Sequence, residues 1–257
     1  MRIIPIKTPL IKKGDNIVNI FLGLIQEEGL NIEDGDIVAF ADKIIAISEG
    51  RFVNFGEVKP SKKAKSLAEK YMLEPGFVEL VIQESDGGIY GGVPRALLTI
   101  KNDIIIANAG MDHKNAPGNT TSLWPSNPDE TAAKLRGEIE ARTGKKIGVI
   151  LVDSHVVPMR MGTLGFALGI AGFRPVKDCR GLKDLYGKPL RITRINLADE
   201  LAAAAHFLMG ETDERVPIVI VRGSNVEITD NYDPREIVIP KEECLFMKNL
   251  FLKGKKP

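Results

Sequence analysis

Two acid-bearing apolar runs, far apart in the chain, constrain this sequence most. Ala107-Asn108-Ala109-Gly110-Met111-Asp112-His113-Lys114-Asn115 and Val149-Ile150-Leu151-Val152-Asp153-Ser154 each place an aspartate after a stretch that reads as a strand. Between them, Asn127-Pro128-Asp129-Glu130 opens a helix with an N-cap amide, a proline at the first helical position and acids in the first turn. Carboxylates at strand ends are suited to gathering hard divalent cations. The alternative for each aspartate is a turn or helix cap, a common use of this residue.

The rest of the 257 residues supply a core for one large domain or two small ones, with 44% hydrophobic and 27% charged residues. The 35 basic and 34 acidic side chains are interspersed, so no basic face for nucleic acid is expected. Cys179 and Cys244 have no CxxC spacing and make neither a disulfide framework nor a zinc site. No apolar run reaches the roughly 18 residues of a membrane span, and the N-terminus lacks a signal-peptide pattern; a cytoplasmic protein is expected.

Helical spacing of Ile17, Ile20, Phe21, Leu24 and Ile25 predicts an amphipathic helix over 16–27. The β-branched run from Asp36 to Ile47 reads as a buried strand, Pro60-Ser61 opens a helix to Met72, and a short helix is expected over 77–83. A glycine-dense loop over 87–92 precedes strands near 96–100 and 103–107. Gly162, Gly165, Gly169 and Gly172 spell neither GxGxxG nor GxxxxGK[ST], and their expected role is tight packing. Residues 196–209 form an alanine-rich helix for the core or a subunit interface, 217–221 a strand, and 236–239 a last strand before a closing helix. Strand pairs and helices without regular βαβ alternation predict an α+β fold of mixed sheets with packed helices.

His113 and His155 lie beside the acidic runs, but without a fixed ligand spacing a metal or general-base role for them stays open, as it does for His206. Among the arginines, Arg160 is set apart by its proximity to the second acidic run and is the candidate catalytic residue.

Ala107 to Asp112 with Asn115, Trp124-Pro125, Asn127 to Ala132, Asp153-Ser154, Pro158 and Arg160 resemble the coenzyme F420-0:gamma-glutamyl ligase family. Ala171-Gly172, Asp178 to Gly181, Asp184 to Gly187, Ala198 to Glu200 and Val221 to Gly223 follow in the same order, and Thr8-Pro9-Leu10-Ile11 and Glu33 to Asp36 fit upstream. The resemblance implies two intertwined subdomains within a single ligase-like domain over 1–245, a subdomain at about 155–209, a tail over 246–257, and a homodimer. It further implies a GTP-dependent ligase using Mg²⁺ or Mn²⁺ that joins L-glutamate to a small carboxylated cofactor through an acyl phosphate. Asp112, Asp153 and Ser154 would hold metal, with a further oxygen from Glu211, where the family usually has glutamine; Thr8, Pro9, Leu10, Ile11 and Asn115 would contact the nucleotide.

The chain also departs from the family pattern. Asp42 and Ile47 replace a serine and a lysine of the nucleotide site, and Ser154 to Arg160 loses an arginine at Val157 and a glycine. Thr163-Leu164 stands where the family has a glutamine-threonine pair. A non-catalytic nucleotide- or metal-binding homologue, or a ligase for a folate or pterin, are the alternative readings.

Overall fold

In the computed structural model, residues 1–112 and 118–251 are described. They form β1 (Arg2–Ile6), α1 (Ile17–Glu27), β2 (Ile37–Ala41), α2 (Asp42–Glu49), β3 (Phe52–Asn54), α3 (Lys62–Tyr71), α4 (Pro75–Glu84), β4 (Ile89–Val93), β5 (Ala96–Lys101) and β6 (Ile104–Ala107). Then come β7 (Thr120–Ser122), α5 (Pro128–Thr143), β8 (Gly148–Val156), β9 (Thr163–Ala171), β10 (Val176–Asp178), β11 (Arg194–Asn196), α6 (Leu197–Met209) and β12 (Ile218–Arg222). The class is α+β.

The main sheet has the order β1-β12-β2-β8-β9, antiparallel except for the parallel pair β2 and β8. Because side chains alternate across a strand, β2 sends Val38 and Phe40 to one face and Ile37 and Ala39 to the other. The first set packs with α1 and α5 around Phe21, Leu135 and Ile139; the second packs with α6 around Ala198, Leu201, Ala202 and Ala205. A third cluster joins α3 and α4 to the three-stranded sheet β4-β5-β6 through Ala64, Phe77, Val81 and Leu97.

The helices begin where their caps say they should. Asn16 Oδ1 accepts from the Asn19 N–H at 2.8 Å, and Asn127, followed by Pro128, caps α5. The expected strand over 36–47 is corrected. It stops at Ala41 and the chain turns directly into α2, closed by Gly50 in the left-handed region at φ 71°. The stop follows from pairing: Ala41 N–H donates to the carbonyl of Pro217, a residue with no N–H to return.

Two further expectations are revised. Residues 234–237 form a 3₁₀ turn rather than a strand, and the expected closing helix is, among the described residues, a short helical run over 245–251 that includes the π-type turn Met247–Phe251. The glycine-dense loop contributes β4, and the glycines from 165 to 169 lie within β9. Their role as close-packing sites holds. A Cβ at Gly165 would fall 2.7 Å from the Ala202 carbonyl of α6, and one at Gly169 would fall 2.4 Å from the Pro128 carbonyl of α5. The outward N–H groups of this edge strand are closed off by acids from the same two helices, Ala167 N–H donating to Asp199 and Ile170 N–H to Asp129.

At the opposite end of β2, Asp36 is fully buried and both of its carboxylate oxygens accept from Arg222 of β12, at 2.9 and 2.8 Å. Arg222 also donates to Glu33 and to the Asn31 carbonyl. Asp36→Asn leaves this guanidinium without its buried counter-charge, a loss of about 3 kcal/mol. Thermal unfolding of the variant is expected to fall by roughly 10 °C at this chain length; an unchanged melting temperature would show the pair to be dispensable.

Candidate functional site

The parallel register of β2 and β8 ends at Ala41 opposite Val152, so the residues that follow, Asp42 at the start of α2 and Asp153 in β8, come close enough at the end of the pair to repel each other. Open sheets bind ligands there, outside the carboxyl ends of parallel strands. Asp153 is not at the end of its strand, since β8 runs on to Val156 with only β9 as partner. That overhang places Asp153 and Ser154, both half-buried, on the wall of a cleft rather than between two strands.

Around this point lies a cleft of about 570 Å³. Its walls carry Thr8, Pro9, Leu10 and Ile11 after β1, Asp42, Lys43 and Ile47 of α2, Asp112, Asp153 and Ser154, and the segment from His206 to Pro217 with Glu211. The structure therefore brings together Thr8, Pro9, Leu10, Ile11, Asp112, Asp153, Ser154 and Glu211, drawn from four separate parts of the chain. It does not bring in Arg160, which is exposed on the turn between β8 and β9 and does not line the cleft. Asn115 and His113 lie outside the described residues.

Asp112 is held by its own backbone. Its carbonyl accepts from the Ser122 N–H at 2.9 Å and from the hydroxyls of Thr121 and Ser122 at 3.0 and 3.1 Å, which fastens this arm to β7. Its side chain receives the Lys43 ammonium at 2.7 Å. Asp153 accepts from the Trp124 indole N–H at 2.7 Å through Oδ2 and from the Ser154 N–H at 2.7 Å through Oδ1. Glu211 Oε1 accepts from the Thr163 hydroxyl at 2.9 Å and lies 3.1 Å from His206 Nε2.

Asp42 stands in the sequence as a departure within the nucleotide site, and Lys43 as a substitute for the lost lysine that an expected strand would point to the opposite face. On α2, Lys43 and Ile47 are separated by one helical turn and share a face. The amino end of α2, with its positive dipole end and with Asp42 in its first turn, lies at the same place.

Electrostatically the cleft is strained toward negative charge. Burial pushes the Asp42 carboxyl well above the usual carboxylate range, with repulsion from Asp153 adding to it. Burial likewise pushes Asp153 up to about 6, against the opposing effect of its two hydrogen bonds and of Lys43. Oxygen donors of this kind, two of them resisting ionisation, are chemically suited to a hard divalent cation, which would relieve the repulsion. Among the described residues no three His, Cys, Asp or Glu side chains stand close enough to form a ready-made metal cluster. Lys43 supplies the positive charge on Asp112 instead.

A second cavity, of about 400 Å³, runs along the outer edge of β9, with His155, Phe166, Asn127, Asp129 and Asp199 in its walls. His155 stacks on Phe166 with ring centroids 4.8 Å apart, and burial pulls its imidazole below the usual range, which favours the neutral form.

The Asp153 shift fixes the sign of a pH effect. The unfolded chain gives up this proton near 3.8 and the folded cleft keeps it to about 6. Between these values the folded state binds more protons, so the contribution of Asp153 to stability falls as pH rises across that window and is flat above it. Asp153→Asn is expected to gain in melting temperature relative to the parent between pH 4 and pH 6. A difference that does not change across thermal melts at these pH values would contradict it.

Comparison with known proteins agrees with the geometry. The sequence profile described as F420-0:Gamma-glutamyl ligase matches residues 5–223. The chain is 38% identical over 246 residues to the coenzyme F420:L-glutamate ligase of Methanocaldococcus jannaschii, covering 96% of each chain. It is 38% identical over 215 residues to the enzyme of that name from Methanothermobacter thermautotrophicus, covering 84% of this chain and 85% of the relative. The corresponding Archaeoglobus fulgidus protein is 38% identical over 218 residues, with 85% of each covered. With a match over most of its length and relatives this similar, the chain belongs to the F420-0:gamma-glutamyl ligase family.

Proposed function

We propose that this protein is a metal- and GTP-dependent ligase that forms an amide bond between the carboxylate of F420-0, or of a closely similar cofactor, and the amine of L-glutamate. The observation that carries this reading is the meeting of Asp112, Asp153, Ser154, Lys43 and the Thr8–Ile11 turn in one cleft at the carboxyl ends of β2 and β8. The names of the curated relatives supply the substrate.

In the reaction, a substrate carboxylate oxygen attacks the γ-phosphorus of GTP, the bond to the β-phosphate oxygen breaks, and GDP leaves. The glutamate amine then attacks the acyl carbon of the resulting acyl phosphate, a C–N bond forms, and phosphate leaves as the nitrogen loses a proton. Phosphoryl transfer of this kind needs positioning and charge neutralisation more than covalent help from the protein. Asp112, Asp153, Ser154 and Glu211 would hold Mg²⁺ or Mn²⁺, which supplies charge neutralisation on the phosphates when bound. Thr8, Pro9, Leu10, Ile11 and Asn115 would seat the nucleotide, and Lys43, one turn ahead of Ile47 on α2, offers an ammonium for the phosphates in place of the family's lysine. Arg160, exposed on the β8–β9 turn and outside the cleft lining, keeps only its nearness in sequence to Asp153 and its place in the resemblance as grounds for a catalytic role.

A homodimer is part of the reading. Met159, Met161, Leu185, Tyr186, Ile192 and Phe207 are all more than four-fifths exposed, apolar surface that association of two chains would cover. Sedimentation velocity is expected to give twice the mass of the 28.1 kDa chain; a single monomeric boundary at micromolar concentration would remove the dimer.

GTP with Mg²⁺ or Mn²⁺ is expected to raise the melting temperature, by the equivalent of about 2.7 kcal/mol when ligand is at a hundredfold excess over Kd. Asp153→Ala should abolish the shift. Mass spectrometry of a reaction with F420-0, GTP and glutamate is expected to show addition of one glutamyl residue. A ligand-induced shift without product on F420-0, or on folate and pterin acceptors run in parallel, would favour a nucleotide-binding homologue without ligase activity, the reading that Ile47 supports.

A further inference from the structure

Trp124, the only tryptophan of the chain, is 1% exposed and lies against both acid-bearing arms of the cleft. Its indole N–H donates to Asp153 Oδ2 at 2.7 Å. Its ring edge abuts Gly110, two residues before Asp112, so closely that a Cβ there would fall 2.1 Å from the indole Cε2. Gly110 also has φ 72°, a conformation that side chains other than glycine's rarely adopt. Behind the ring, Lys101 Nζ sits 5.3 Å from its centroid and is fixed by an ion pair with Glu84 at 2.6 Å. The Trp124 carbonyl accepts from Arg51 Nε at 2.5 Å, which holds the backbone as well.

A buried indole N–H needs some acceptor, and the bland account of this contact is that Asp153 satisfies a core residue. That account leaves three features unused. The acceptor is a carboxylate that faces the cleft, the same ring sets the path of the backbone into Asp112, and a nearly buried ammonium is aimed at the ring face, where it polarises the indole and strengthens its N–H as a donor.

We propose that Trp124 is a positioning residue for cation binding. By anchoring Asp153 Oδ2 and backing the turn at Gly110, it fixes the spacing of the Asp112 and Asp153 carboxylates, with Lys101 and Glu84 as its support. The proposal rests on the metal-dependent reading of the cleft. Partners that orient a ligand carboxylate typically change metal affinity 10- to 100-fold when removed.

The test uses Mn²⁺ alone and the full chain. Free Mn²⁺ is counted by electron paramagnetic resonance in titrations of the parent protein and of Trp124→Phe, which keeps an aromatic ring and deletes the N–H. About 10-fold weaker binding by the variant is expected. In the parent, quenching of the single tryptophan's fluorescence should saturate with the same Kd as the resonance titration. Biosynthetic replacement of tryptophan by its benzothiophene isostere, which changes only N–H to sulfur, gives the same comparison with packing intact, should the phenylalanine variant fold poorly. Lys101→Met combined with Glu84→Gln should weaken Mn²⁺ binding by a smaller factor without touching the N–H. Parent-like affinity in both the phenylalanine and the benzothiophene proteins would overturn the positioning role alone. Absence of Mn²⁺ binding by the parent would overturn the metal-dependent reading and this inference with it.

Discussion

The pairing of β2 with β8 is the constraint from which the cleft follows. It is the one parallel pair in the main sheet, and in a parallel pair both chains run out at the same end. Ala41 and Val152 are the last partners, so Asp42 and Asp153 emerge together, at a level where β12 is just beginning with Pro217 and β1 has just ended. A shift of one residue would exchange the faces of every side chain on β2 and drive Val38 and Phe40 out of the α1 and α5 side of the core. Hydrophobic packing on both faces of the sheet therefore fixes the register, and the register fixes the distance between two carboxylates that would otherwise repel each other. Burial of apolar surface, at about 25 cal/mol per Å², holds charged groups where solvation alone would separate them.

The carboxylates that result are costly to the ligand-free protein. Both Asp42 and Asp153 resist ionisation, and the Lys43 ammonium and the amino end of α2 offset only part of the negative charge. Cores with no bound ligand seldom keep such an arrangement unless it is used, because removing one carboxyl would be an easy gain in stability. Under the proposed function a cation would answer the carboxylates, and the helix end and the lysine would answer the phosphates.

Much of this was legible in the sequence. The acids at 112 and 153, the cap at Asn127, and the alanine-rich helix ending at Gly210 are local signals, and local signals survive folding. What could not be read was where an apolar run changes from strand to helix. From Ile37 to Ile47 the residues suit either form, and the boundary is set by the tertiary partner, since Pro217 ends the ladder at Ala41. The glycines of β9 are legible as packing sites, but they hide the strand that carries them. Glycine weakens a strand, yet Gly165 and Gly169 are required where α6 and α5 cross the sheet at backbone contact distance, and sequence order gives no sign of those crossings. Arg160 was singled out by proximity in sequence to Asp153, but the overhang of β8 carries it past the cleft, since each strand residue advances the chain by about 3.3 Å.

The same geometry changes the meaning of the departures from the family pattern. Asp42 in place of serine, Ile47 in place of lysine and Glu211 in place of glutamine all line the cleft; Ile47 removes a positive charge, and the two acids add negative charge only when ionised, which burial resists at Asp42. Taken as losses of nucleotide contacts they argue against activity; taken together they describe a cleft with a greater appetite for cations. A bare triphosphate would meet more repulsion here than in the family pattern, whereas a nucleotide already carrying its metal would meet less. On the proposed reading the substitutions would favour a metal-loaded nucleotide over a bare one, and Lys43, which starts α2 with Asp42, keeps one positive charge beside Asp112.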